Sequence, residues 1–232
     1  MLNETFNISI NLDDFEIVND SKPADNFEIT EEDINIKQPD AIAMKLKNRH
    51  FCRRLVSEHQ LENLIDWEFE DGASYHILSQ GDIDSFSYLK FILRQQKIDY
   101  LLTSTWVIAK TDIEEFENYL KIGRIKKMDF YVGEILPSSQ YPRYVELANL
   151  VRKYDGRCAV FRNHSKVFVG FGSKFNFVIE TSANVTTNPR CENTTITLNT
   201  ELALFYKEFY DGIKSFNRDF DDWKPTIIGE KL

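Results

Sequence analysis

His164-Ser-Lys-Val-Phe-Val-Gly-Phe-Gly-Ser-Lys-Phe-Asn-Phe-Val-Ile-Glu-Thr-Ser-Ala-Asn184 is the stretch around which the rest of this 232-residue chain can be read. Its apolar run pauses at small residues and returns as Phe175 to Ile179, which predicts a β-hairpin over 165–180 turning at Gly170, Gly172 and Ser173. Side chains alternate between the two faces of a strand. On the first strand His164 and Lys166 therefore share a face, and the second strand delivers Thr181, Ser182 and Asn184 near its end. One hairpin gathers an imidazole, an ammonium, a hydroxyl and an amide. Those groups suit a phosphodiester, which calls for a nucleophile or acid, a fixed cation and neutral donors to the non-bridging oxygens.

Upstream of the hairpin, strand-like runs at 75–78, 99–103, 128–132 and 157–162 alternate with helical patterns at 84–97, 112–123 and 139–154. Asp82 and Asp84 precede the first of these helices and Thr111 the second, as N-caps do. Such alternation predicts an α/β fold with a mixed, mainly parallel sheet and helices on both faces. Downstream, Leu202, Leu204, Phe205, Phe209, Tyr210 and Ile213 mark a helix over 200–216, and Trp223-Lys-Pro opens a short tail. The organisation expected is an acidic, partly disordered arm at 1–40 and a basic amphipathic helical segment at 41–73, N-capped by Asp40. The α/β domain follows at 74–220, and the tail at 221–232.

Charge separates these parts. Of 37 acidic and 28 basic residues, 11 acids and only Lys22 and Lys37 fall in 1–44, so residues 45–232 are balanced at 26 of each. The arm, with its apolar pieces and Pro23 and Pro39, reads either as a solvated tail or as a cover for the chain's own basic surface or a protein partner's. Lys45, Lys47, Arg49, His50, Arg53 and Arg54 crowd one part of the following segment, as a solvated face or as a phosphate contact. No apolar run is long enough to cross a bilayer and the N-terminus lacks the pattern of a signal peptide, so a cytoplasmic location without membrane attachment is expected. Cys52, Cys158 and Cys191 form no CxxC pair, which argues for reduced thiols and against a zinc site; Cys158 should be inert in its strand.

His164-Ser-Lys166, Thr181-Ser-Ala-Asn184 and Glu192-Asn193 together resemble the signature of the phospholipase D superfamily: His-x-Lys, a later Asp, a Gly-Ser-x-Asn element and a Glu-Asn. Thr181 stands for the Gly, Phe171 for the Asp, and the spacings on either side of Asn184 differ by three residues from the usual ones. The resemblance implies a metal-independent phosphoryl transfer with no cofactor. His164 would attack phosphorus to give a phosphohistidine, while Lys166, Ser182 and Asn184 hold the non-bridging oxygens and Glu192 orients the imidazole. It also implies a second His. His50, His59 and His76 lack a Lys two residues on, so the second copy would come from a homodimer.

Thr105 and Trp106 end a predicted strand where open α/β sheets place ligands; Trp106 reads as a base-stacking residue or as core. Arg143, Arg152, Lys153, Arg157, Arg162, Lys166, Lys174 and Arg190 offer a local basic surface, with Arg162 and Arg190 flanking the hairpin. Nucleic acid, DNA in particular, is therefore the phosphodiester expected. The rival readings are a DNA-binding or regulatory protein that keeps the pocket without turnover, as the lost Asp would permit, and a module for protein partners.

Overall fold

The computed structural model describes residues 49–64, 69–187 and 190–229, with side chains from 56 onward in the first helix. Its elements in chain order are α1 (Arg49–Leu64), β1 (Ser74–Ser79), α2 (Ser85–Gln95), β2 (Ile98–Thr105), α3 (Lys110–Lys121), β3 (Ile125–Gly133), α4 (Ile135–Ser139), α5 (Tyr141–Lys153), β4 (Cys158–Phe161), β5 (Val167–Gly172), β6 (Asn176–Thr181), β7 (Glu192–Thr197) and α6 (Thr200–Asp211). The seven strands form one sheet in the order β1-β7-β6-β5-β2-β3-β4.

Apolar side chains fill both faces of the central strands, as a two-sided sheet requires. On β2, Leu101 joins a core with Leu89 and Ile92 of α2, Phe116 of α3 and Leu147 of α5. Tyr100 and Leu102 point the other way, into a second core with Tyr131, Val169, Val178 and Ala203 and Tyr210 of α6. Helices therefore cover both faces of an α/β domain, as the alternating pattern led one to expect.

The balance of strand directions differs from the expectation of a mainly parallel sheet. Strands β2, β3 and β4 run parallel, linked through α3 and α5. The four remaining pairings, β5 with β2, β5 with β6, β6 with β7 and β7 with β1, are antiparallel. Two of these four involve β7, whose Glu-Asn-Thr-Thr-Ile-Thr lacks the apolar alternation of a strand. Its polar side chains hide the strand pattern, yet Thr194 and Ile196 are buried and the strand seats β1 beside the hairpin.

Local corrections follow from packing. Gly170 and Gly172 lie within β5, and the turn falls at 173–175. A Cβ on Gly170 would sit 2.1 Å from the Phe177 ring, and one on Gly172 would sit 2.3 Å from the Gln96 amide. These glycines make room for side chains rather than bending the chain. Thr111 lies inside α3, whose N-cap is Ala109. Asp84 caps α2 by position, without a side-chain hydrogen bond to the helix. The helix expected over 139–154 is α5, with Pro142 in its first turn, and the short α4 precedes it. The last helix ends at Asp211 rather than 216, and the C-terminal tail is tied down: Trp223 donates its indole N–H to Asp129 Oδ1 at 3.3 Å.

The helix expected from Asp40 is described from Arg49. The acidic arm, the Asp40 cap, Lys45 and Lys47 lie outside the described residues, as do the side chains of Arg49 to Arg54 and Cys52. In the described part α1 docks by charge: Glu58, buried, meets Lys90 at 2.5 Å and Arg94, and Lys90 reaches Glu115 at 3.1 Å. No helix among the described residues is long and apolar enough to cross a membrane.

Because the Phe177 ring fills the space over Gly170, Gly170→Ala is expected to lower stability by about 1–3 kcal/mol, the usual range for overpacking. Urea denaturation of the two proteins measures it; equal midpoints would contradict the packing assigned to this glycine.

Candidate functional site

After β4 the chain does not turn back beside it. It crosses the ends of β3 and β2 and enters the sheet as β5 on the far side of β2. Residues 162–166 make that crossing. His164 and Lys166 therefore sit on a connection before β5 rather than on a strand, which corrects the placement expected from the hairpin pattern. The two side chains still meet there.

The inward-facing residues of the connection hold it. Asn163, buried, donates through Nδ2 to Ser104 Oγ at 2.9 Å, to the Tyr131 carbonyl at 2.8 Å and to the Thr105 carbonyl at 3.2 Å. Its Oδ1 accepts the Ser165 N–H at 3.0 Å and the Ser165 hydroxyl at 2.7 Å. Ser165 Oγ lies 2.7 Å from Ser104 Oγ and 2.6 Å from the Tyr210 hydroxyl. Sequence reasoning missed Asn163, Ser165, Ser104 and Tyr210. Period two would set 163 and 165 opposite His164 and Lys166, but burial does not alternate: Asn163 and Lys166 are buried while His164 and Ser165 are exposed.

Lys166 Nζ lies 3.1 Å from His164 Nδ1 and 3.4 Å from Nε2, and donates to the His164 carbonyl at 2.6 Å. Lys166 is 8% exposed. Burial pulls its pKa below the ordinary lysine value, and the nearby Glu192 carboxylate opposes that shift in part. Main-chain bonding fixes Lys166 to the hairpin's other strand, Thr181 N–H donating to the Lys166 carbonyl at 3.1 Å.

The remaining candidates converge here. Asn184 Oδ1 accepts the Trp106 N–H at 3.2 Å and the Thr105 hydroxyl at 3.4 Å, and Asn184's carbonyl accepts the Ser85 hydroxyl at 2.8 Å. Ser182 Oγ donates to Glu192 Oε2 and accepts the Asn193 N–H at 3.0 Å. Glu192 is thus bonded to Ser182 within the protomer, where an orienting bond to the imidazole was expected. Trp106 is half-buried, neither core nor free, with its ring centroid 5.4 Å from that of His164 at 53°. Gly133 makes that place, since a Cβ there would lie 2.3 Å from Trp106 Cδ1. Cys191, beside Glu192, is exposed; Cys158 is buried and its thiol pKa is pushed up by burial.

The expected basic surface is smaller than its list of residues. Arg157 is buried beneath Trp223, Lys166 is buried at the site, and Arg152 is engaged with Phe220 and the Asp219 carbonyl. Arg162, Lys174 and Arg190 are exposed.

No profile of a known protein family matches the chain, and no curated protein sequence does. Among solved structures, it is similar to polyphosphate kinase from Porphyromonas gingivalis at a TM-score of 0.47 and 15% identity, over 63% of this chain and 27% of that one. NucT from Helicobacter pylori aligns at a TM-score of 0.43 and 17% identity, over 60% of this chain and 94% of that one. Phosphatidylserine synthase from Haemophilus influenzae aligns at 0.42 and 14%, over 59% and 37%. The chain therefore spans about a quarter to a third of the length of the kinase and the synthase.

Asn163→Ala would leave the Thr105 and Tyr131 carbonyls without their donor at a buried crossing. It is expected to cost about 2 kcal/mol of stability, read by chemical denaturation, whereas His164→Ala on the exposed side should change stability little.

Proposed function

We propose that this protein is a phosphodiesterase that cleaves nucleic acid, most readily DNA, through a phosphohistidine on His164, in a composite site completed by a second copy of the chain. The observation that carries the reading is the Lys166 ammonium held against the His164 ring, beside Asn184 and the Ser182–Glu192 pair. In this reading His164 attacks phosphorus while the bond to the leaving oxygen breaks, and the partner subunit's His164 protonates that oxygen. Water then cleaves the phosphohistidine, losing its proton to the partner subunit's His164. Charge that gathers on the non-bridging oxygens is met by Lys166 Nζ, which has donors to spare after the bond to the His164 carbonyl, and by Asn184 Nδ2, since Asn184 binds the β2 end through Oδ1. Trp106 offers a π-face beside the imidazole on which a base stacks, and Arg162 and Arg190 lie on the exposed flanks for backbone phosphates.

One observation favours the rival in which phosphate is bound without turnover. Phe171, at the position of the motif's Asp, is an apolar core residue whose ring centroid lies 6.1 Å from that of Tyr100. A single experiment separates the two readings. Single- and double-stranded DNA are incubated with the full chain in EDTA, alongside His164→Ala, while light scattering reports the mass. Cleavage by a dimer that His164→Ala abolishes is the expected result. Salt-sensitive binding with no cleavage would establish the rival, and full activity in a monomer would overturn the composite site.

The pH dependence of anion binding follows from Lys166. Only its protonated form holds an oxyanion, and burial lowers its pKa, so the charged fraction is lost as pH rises before ordinary lysines titrate. Tungstate affinity measured by calorimetry is expected to fall at a pH below the usual lysine range in the wild type. In Lys166→Arg, whose guanidinium stays charged, the fall should vanish. Parallel profiles would disconnect Lys166 from the anion.

A further inference from the structure

Beside the edge strand β4, a cavity of about 350 Å³ opens next to Arg157, Asp211, Lys214, Phe220, Asp221 and Trp223. Small-molecule sites are of this order of size. Arg157 is 7% exposed, and its guanidinium lies 3.8 Å from the Trp223 ring centroid. Its hydrogen bonds leave from Nη2 alone and go to neutral acceptors, the Tyr131 hydroxyl at 3.1 Å and the Tyr210 carbonyl at 2.9 Å, with a longer one to the Ile213 carbonyl. Buried Nε has no partner. Among the described residues no carboxylate oxygen comes within 4.0 Å of this guanidinium. The carboxylate of Asp129 serves other donors: the Tyr100 hydroxyl, the Trp223 indole and Arg157's own main-chain N–H. The guanidinium interacts electrostatically with the nearby Asp129 carboxylate without touching it, so its Nε is left without a direct partner where buried polar groups are ordinarily hydrogen-bonded.

The opposite polarity stands in the same cavity. Asp211 gives Oδ2 to Lys207 at 2.5 Å, while its buried Oδ1 has no partner. Exposed Asp221 and Lys214 line the cavity with it. A simple dianion would satisfy Arg157 and Lys214 but face two aspartates, and a simple cation would face the reverse. A ligand with both charges meets all four, and Ile213, Phe220 and Pro225 supply apolar wall for its remainder. We propose that this cavity binds a free α-amino acid with an apolar side chain, the carboxylate on Arg157 and Lys214 and the ammonium on Asp211 and Asp221.

The site stands apart from the catalytic reading and is tested without it. The full chain is titrated calorimetrically with L-leucine and L-phenylalanine at millimolar concentrations, with N-acetyl-phenylalanine, phenethylamine and inorganic phosphate as single-charge probes. Saturable binding of at least one amino acid is expected, with each single-charge probe weaker by about 10-fold or more, as loss of one charged contact implies. Arg157→Gln should abolish the binding. Because Arg157 is buried and its replacement can unfold the chain, the exposed pair Lys214→Ala and Asp221→Asn provides the second check, each expected to weaken binding several-fold at unchanged melting temperature. No saturable amino-acid binding overturns the proposal, as does phosphate binding as tightly as the amino acids, or affinity that neither exposed substitution alters.

Discussion

The crossing at 162–166 is the constraint on which the rest of the architecture turns. A chain leaving β4 and re-entering the sheet beyond β2 must pass over the ends of two strands, where main-chain polar groups need partners. Asn163 answers this with one amide: its two N–H donors are shared among a hydroxyl and the carbonyls of Thr105 and Tyr131, and its oxygen fixes Ser165. Backbone satisfaction and presentation of His164 and Lys166 are therefore a single event. With Asn163 and Ser165 bonded in this way, His164 stays exposed and Lys166 is buried against it.

The same logic extends to the neighbours. Asn184 ties the segment after β6 to the end of β2 through the Trp106 main chain, and Ser182 is bonded to Asn193 of β7 through both its N–H and its hydroxyl. Segments far apart in sequence thus meet at one end of the sheet, each through backbone hydrogen bonds rather than loose side-chain contact. Rigidity of this kind suits a site that has to aim donors at a phosphate, because preorganised dipoles act without reorganising during the reaction. Gly133 belongs to the same set, for any side chain there would drive the Trp106 indole from its place by the imidazole.

Much of this could be read from the chain, and the parts that could not have physical causes. The α/β alternation and both halves of the hairpin follow from periodicity, which also brings His164, Lys166, Ser182 and Asn184 to one hairpin; Glu192 enters only through the family resemblance. Strand β7 escaped because Thr-rich polar sequence makes a strand when neighbours bury alternate residues, which single-sequence pattern does not disclose. Gly170 and Gly172 were taken for turn formers because glycine's two uses, positive φ and absence of a Cβ, look alike in sequence. Arg157 was counted with the surface cations since nothing local announces that Trp223, 66 positions later, covers it. Asn163 flanks the motif yet reads as an ordinary loop residue, because its role is defined by carbonyls on two distant strands.

The arrangement also says what the proposed reaction would have to rearrange. In the protomer Lys166 Nζ stands closer to His164 Nδ1 than to Nε2, and Glu192 is bonded to Ser182. Held within 3.4 Å of both ring nitrogens, the ammonium stands where it hinders the imidazole lone pair from reaching phosphorus. An incoming phosphodiester oxygen competes for the same ammonium, and it is the stronger acceptor because it carries charge. Transfer of Lys166 from ring to phosphate would free the imidazole to attack. Glu192, within electrostatic reach of Lys166, would lose a cationic neighbour at that moment and could turn from Ser182 toward the ring. In the proposed reaction, substrate binding and activation of the nucleophile would then be one exchange of hydrogen-bond partners, with Lys166 as its pivot.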